Sequence, residues 1–187
     1  MRQKEIWKKK GYNINFHYFD SSKINNLNIN YYKIIRKFGC PSVFINCSYP
    51  HTEDWEKSGF NEIKISSYLK NINYHLNSYI WLAHLTAKYM KSNKIKGSII
   101  QMGSIYGIVG QDLSVYSGTS MKENMTYSVI KGGVTNFTRQ LASYYGNSNI
   151  RVNTICAGGI QGHVAGSKKK QDKKFIKNYS NKTLLKR

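Results

Sequence analysis

Three short apolar runs, "SVFIN" at 42–46, "GSIIQM" at 97–102 and "IRVNTI" at 150–155, alternate with long stretches of helical periodicity. Each run has the length of a strand, and the connections between them are too long for hairpins. Strands joined in this way lie parallel, because a parallel neighbour is reached through a crossover, ordinarily a helix. Runs that are apolar throughout mark strands buried on both faces. The expected fold is α/β: a doubly wound parallel sheet with helices on both faces, one domain over residues 1–187.

The stretches between the runs read as helices. Residues 4–10 end at Gly11, and residues 23–38 carry Ile24, Leu27, Tyr31, Ile34, Ile35 and Phe38 up to Gly39. From Ile65 the repeat continues through Leu69, Ile72, Leu76, Ile80, Ala83, Ala87 and Met90. Residues 126–145 turn Ile130, Val134, Phe137 and Leu141 inward. "NINFHYF" at 13–19 alternates Ile14, Phe16 and Tyr18 against polar residues, which reads as a further strand ending at Asp20. Ligands of such folds bind beyond the carboxyl ends of the strands. Here those ends are Asp20, Asn46, the segment at Ser104, and "AGGI" at 157–160.

Composition removes several classes. At 40% hydrophobic and 13% aromatic residues, the chain is too rich in core formers to be disordered. Cys40, Cys47 and Cys156 lack C-x-x-C spacing and a histidine partner, so reduced cytoplasmic thiols are expected, with neither disulfide nor metal site. No apolar run approaches the roughly 20 residues of a membrane span, and no apolar core follows the charged N-terminus. The net charge of +20 gathers partly in "KKK" at 8–10 and "KKKQDKK" at 168–174. No aromatic-basic motif accompanies it, so the charge reads as solvation and nucleic acid is not the expected partner.

Tyr127 and Lys131 stand four apart in a helical segment and so share a face. A free phenol titrates near 10, and a neighbouring ammonium favours the phenolate. Such a tyrosine can exchange a proton with a carbonyl or alcohol, with Ser104 holding the substrate oxygen. By spacing alone, an exposed Tyr and Lys on a helix side is the preferred explanation of the pair.

The order "GSIIQMGSIYG", "YSVIKGGVTNFTRQLASYYG", "IRVNTICAGGI" resembles the short-chain dehydrogenase/reductase family over nearly all of residues 13–187. The resemblance implies a Rossmann-like fold, NAD or NADP as cofactor, and hydride transfer to or from a carbonyl or alcohol. It makes Ser104 the catalytic serine, Tyr127 the acid/base, and Lys131 the residue that lowers the tyrosine's pKa and holds the nicotinamide ribose. Asp20 matches the adenine contact, Asn46 the retained Asn of the N-N-A-G motif, and Gly158 and Ile160 fall beside the nicotinamide. Within the family, "HLNSYIWLAHLTAKYM" and "SIYGIVGQDLSVYSGTSM" are most similar to flagellin-modification and surface-polysaccharide members, which implies a small, sugar-like substrate. Pairing of copies through the two long helices is a further implication.

Departures accompany the resemblance. His75 stands where the family has an Asn whose main-chain carbonyl, the resemblance implies, helps hold a relay water. A main-chain role would survive the change, and a His could also shuttle protons; the alternative is an uninvolved helix residue. Cys47 and Ala157 replace the second Asn and the Pro of their motifs. No T-G-x-x-x-G-x-G turn precedes Asp20, so the first strand–helix–strand unit with its phosphate cradle is not expected here. An inactive remnant or split half is therefore the alternative to an active oxidoreductase, and a basic nucleic-acid-binding module is the alternative from another class. If the charge is solvation, duplex DNA binding in an anisotropy titration should show no sequence preference. It should also fade steeply between about 50 and about 200 mM salt.

Overall fold

The sheet forms where the apolar runs stand. In this computed structural model, which describes residues 2–162 and 170–186, the chain begins with α1 (Arg2–Lys9) and continues through an irregular segment into α2 (Leu27–Phe38). Strand β1 (Val43–Asn46) follows, then α3 (Ile65–Asn71), a wide π turn (Ile72–Asn77) and α4 (Ser78–Ser92). Strand β2 (Ser98–Met102), α5 (Met125–Tyr145), β3 (Arg151–Ile155) and α6 (Lys173–Lys182) complete the order. The strands are parallel in the order β1-β2-β3, which places β2 in the centre.

Register sorts the side chains between faces. Phe44, Ile99 and Val152 are aligned across the sheet and share one face. Against it pack Ala83, Ala87 and Met90 of α4 with Leu141 and Tyr145 of α5. Small residues on α4 let that helix approach the strands closely. Behind α4, Leu27 and Tyr31 of α2 pack on Leu82 and Leu85, and the Tyr31 hydroxyl meets Thr86 Oγ1 at 2.6 Å. At the other end α6 is capped by Asp172, whose Oδ1 accepts from the Lys174 and Phe175 amides. It then rests Phe175 on Tyr116.

The structure corrects four expectations. Helices cover one face of the sheet only: Val43, Ile45 and Ile155 on the opposite face are half exposed or more, and no described helix packs there. For the same reason β1 is not buried on both faces; Ile45 is 54% exposed. Residues 13–19 form no strand, because an alternating segment becomes one only when a neighbour takes its backbone hydrogen bonds, and none of the described residues does. Finally, Ile65 and Leu69 face solvent. The wide turn rotates the helix out of simple 3.6-residue phase, so the buried line ahead of it is Ser67, Asn71 and His75. Residues 168 and 169 of the second lysine cluster lie outside the described residues.

This one-sided burial is measurable. Ile99→Ala, at a fully buried position on the covered face, should cost about 3 kcal/mol of unfolding free energy in urea titrations. Ile45→Ala, on the open face, should cost less than about 1 kcal/mol.

Candidate active site

At the carboxyl end of β2 the chain leaves the sheet through Gly103 and Ser104. The Ile105 amide donates to the Ala157 carbonyl at 3.1 Å, which draws the loop after β3 alongside. Ser104 Oγ accepts from the Tyr106 amide at 3.2 Å and opens a short helical turn at Ile105–Gly107. That turn lies directly on α5: a Cβ at Gly107 would stand 2.5 Å from the Lys131 carbonyl oxygen. Only glycine permits the approach that brings Ser104 beside Tyr127.

α5 is anchored at its start. Asn124 Oδ1 accepts from the Tyr127 amide at 2.8 Å, an N-cap that satisfies one of the free amides of the first turn. Gln111 holds the cap in turn, donating to the Asn124 carbonyl at 2.8 Å and to Ser128 Oγ at 2.9 Å. The loop between Ser104 and Tyr127 is thereby tied to the helix it precedes.

One turn on from Tyr127, Lys131 is 3% exposed. Its Nζ donates to the Met102 carbonyl at 2.8 Å and stands 3.5 Å from His75 Nε2. It lies 5.0 Å from the ring centre of Tyr79, 5.6 Å from that of Tyr127 and 5.8 Å from that of Tyr49. Burial pulls its pKa down to about 8. Burial also pulls the wholly enclosed His75 down to about 3, with the Lys131 charge and His51 adding to the effect.

Tyr127 departs from expectation. Its phenol is raised above 10, chiefly by burial, while the neighbouring Ser104 hydroxyl draws it back down. The Lys131 ammonium, 5.6 Å from the ring centre and donating to the Met102 carbonyl, does not offset that burial. The phenol borders a cleft of about 500 Å³, lined also by Trp55, Tyr106, Gln111, Tyr116 and Glu123.

Ser104, Tyr127, Lys131 and His75 are thus brought together, and Asn46 lies one residue further out. The Tyr79 hydroxyl shares its one proton between the Ser48 carbonyl at 2.8 Å and the Asn46 carbonyl at 3.1 Å. Asn46 Oδ1 accepts from the Ser48 amide and hydroxyl, while its buried Nδ2 has no partner among the described residues. Asn46 and the turn beside Asp20 flank a second, apolar groove of about 510 Å³. Asp20 itself is held by the Ser22 amide and hydroxyl, which lower its pKa. A Cβ at Gly158 would stand 3.7 Å from the Tyr179 hydroxyl of α6, and Ile160 is exposed. The free donor of Asn46 and the amine of Lys131 fit the hydroxyl groups of a nucleoside. Among the described residues, no glycine-rich turn leads into a helix beside Asp20 and Asn46, so no phosphate cradle is present there.

Sequence reasoning missed Tyr49, Tyr79, Gln111 and Asn124. Asn124 carried a usable signal, an N-capping residue immediately ahead of the periodic stretch. Tyr79 stands four residues beyond His75 on the same helix, but nothing in the spacing says it would reach Asn46.

The family model described as Enoyl-(Acyl carrier protein) reductase matches residues 8–187. Post-translational flagellin modification protein A of Campylobacter coli is 36% identical over 117 residues, covering 63% of this chain and 45% of that protein. A short chain dehydrogenase from Leptospira borgpetersenii, solved with bound NAD+, superposes with a TM-score of 0.75 at 27% identity. The match covers 90% of this chain and 60% of that one. ElxO with NADP bound shares the fold, with a TM-score of 0.64 at 22% identity over 78% of this chain and 53% of its own. The chain thus spans about half the length of the relatives it matches.

The enclosed imidazole makes a prediction. With a folded pKa of about 3 against an ordinary 6.5, the unfolded chain binds the extra proton between those values, so acid favours unfolding. The stabilisation is complete above pH 6.5 and is lost as pH falls toward 3. From this residue alone, unfolding free energy should fall by up to about 1.4 kcal/mol per pH unit below pH 6.5. His75→Gln should flatten that slope in urea titrations at fixed ionic strength.

Proposed function

As the chain belongs to the short-chain dehydrogenase/reductase family, we propose that it is the catalytic end of an oxidoreductase acting on a hydroxylated, sugar-like carbonyl or alcohol. The observation that carries this reading is the convergence of Ser104, Tyr127 and Lys131 at the end of the central strand, with the phenol on a cleft. A bound NAD or NADP would supply or accept the hydride; Lys131 and Asn46 are the residues here that would hold its ribose.

In the reducing direction the substrate carbonyl oxygen lies between the Ser104 hydroxyl, which donates a hydrogen bond, and the Tyr127 hydroxyl. As hydride reaches the carbonyl carbon, the Tyr127 proton passes to the oxygen, leaving an alcohol and a phenolate. Ser104 and the Lys131 ammonium stabilise that phenolate until it is reprotonated; oxidation is the reverse. A phenol raised by burial is a poor spontaneous acid, which ties its ionisation to the presence of charge in the cleft. Trp55, Tyr106 and Tyr116 offer ring faces, and Glu123 offers a hydrogen-bond acceptor, a lining suited to a polyhydroxylated ring. The flagellin-modification relative supports the same substrate class.

A second reading is favoured by the open β1 edge and the uncovered sheet face. In it, residues 1–187 are catalytically silent alone and act with a further polypeptide segment that pairs with β1 and brings the phosphate site. Tyr127→Phe keeps the ring and removes the transferable proton. In carbonyl-reduction assays following nicotinamide absorbance, the full protein carrying it should lose about 10²-fold or more of its rate, with little change in unfolding free energy. Normal turnover by that variant would refute the mechanism.

A further inference from the structure

His75 takes no part in the proton transfer proposed above, yet it is wholly buried against the amine of Lys131. It sits in the π turn, where the helix is wider than an α-helix. Its imidazole is packed by Tyr49 at 4.9 Å, Tyr79 at 5.2 Å and Trp55 at 6.5 Å between ring centres. The titratable groups facing it are Lys131 from α5, Tyr49 and His51 from the loop after β1, and Tyr79 from its own helix. No carboxylate is among them, so nothing nearby favours an imidazolium.

The hydrogen-bonding inventory then fixes the tautomer. An ammonium has three protons to give and no lone pair. The Met102 carbonyl takes one at 2.8 Å, and the next polar atom from Lys131 Nζ is His75 Nε2 at 3.5 Å. Facing a donor, Nε2 must present its lone pair, so the ring proton resides on Nδ1. Nδ1 is buried and has no partner among the described residues.

We propose that His75 is a positioning residue for Lys131: its neutral Nε2 accepts from the ammonium and holds the amine between the Met102 carbonyl and the tyrosine faces, with its own proton on Nδ1. The role belongs to the ring and is lost with it, unlike a main-chain role at the same position. It presupposes the reading of Tyr127 and Lys131 as the proton-transfer pair, but its test requires no turnover.

The test is NMR on the full chain with 15N-labelled histidine and 13C,15N-labelled lysine. Long-range 1H–15N spectra should show His75 as the Nδ1–H tautomer with no titration between about pH 5 and about pH 9. Following the Lys131 side chain over the same range, His75→Phe should lower its titration midpoint by about one pH unit, because a hydrogen bond favouring the charged form is lost. His75→Gln, whose carbonyl can accept in place of Nε2, should restore the midpoint. An Nε2–H tautomer, a His75 signal titrating near its ordinary value, or an unmoved Lys131 midpoint in His75→Phe would each overturn the proposal. Should His75→Phe fail to fold, the wild-type tautomer still decides. A full protein that binds the dinucleotide yet reduces no carbonyl, with the expected spectra, would sink the hydride-transfer reading and leave the His75–Lys131 geometry standing.

Discussion

A lysine buried to 3% exposure is the constraint on which the rest of the site depends. An isolated ammonium cannot be taken out of water without compensation. Lys131 therefore needs an acceptor from the strand, an acceptor from the π turn and ring faces around it, and the fold supplies all three. Supplying them fixes the neighbourhood. The Met102 carbonyl is free to accept because β2 ends there. His75 can reach because the helix widens at the turn. Tyr79, one turn along, ties the same helix to the end of β1 through the Asn46 and Ser48 carbonyls. Removing the charge while keeping the fold would thus loosen three elements at once.

A second level of organisation is the loop between β2 and α5. It carries two anchors, the Gly107 contact on the α5 backbone and the Gln111–Asn124 clamp. Between them they set the mouth of the cleft, where Tyr116 meets α6 through Phe175. Trp55 closes the other side and accepts at its carbonyl from Asn124 Nδ2 at 3.3 Å. The α5 cap, the cleft wall at Trp55 and the loop at Gln111 are therefore coupled through one asparagine.

Much of this was legible in the sequence, for physical reasons that vary along the chain. The three strands were readable because each is a short apolar run bounded by polar or glycine-containing stretches, and α5 because its apolar stripe repeats without interruption. Ser104, Tyr127 and Lys131 were readable because the resemblance involved motifs in a fixed order. The long helix was misread where it matters most. Ile65 and Leu69 continue an apolar repeat that the π turn makes irrelevant, while the buried line is the polar series Ser67, Asn71, His75. Apolar periodicity cannot announce a buried polar face. That series pins the loop after β1, with Asn71 Oδ1 accepting from the Thr52 amide at 2.9 Å and Ser67 donating to Asp54 at 2.9 Å. Residues 13–19 were misread for a different reason: alternation reports a surface that could pair, and pairing depends on a neighbour that local sequence does not specify.

The two ends of the site differ in completeness. The Lys131 amine has acceptors in the Met102 carbonyl and His75 Nε2, whereas among the described residues the buried Asn46 amide donor has no partner and β1 pairs on one side only. The account's central claim is that the described residues hold the proton-transfer chemistry while offering a dinucleotide only its nucleoside contacts. Isothermal calorimetry of the 187-residue chain with NAD and with NADP tests this most directly. Hydroxyl contacts without a phosphate cradle should give affinities weaker than about 1 mM for both. A dissociation constant of about 1 µM for either dinucleotide would contradict the claim, because it would require a phosphate-binding element within these residues.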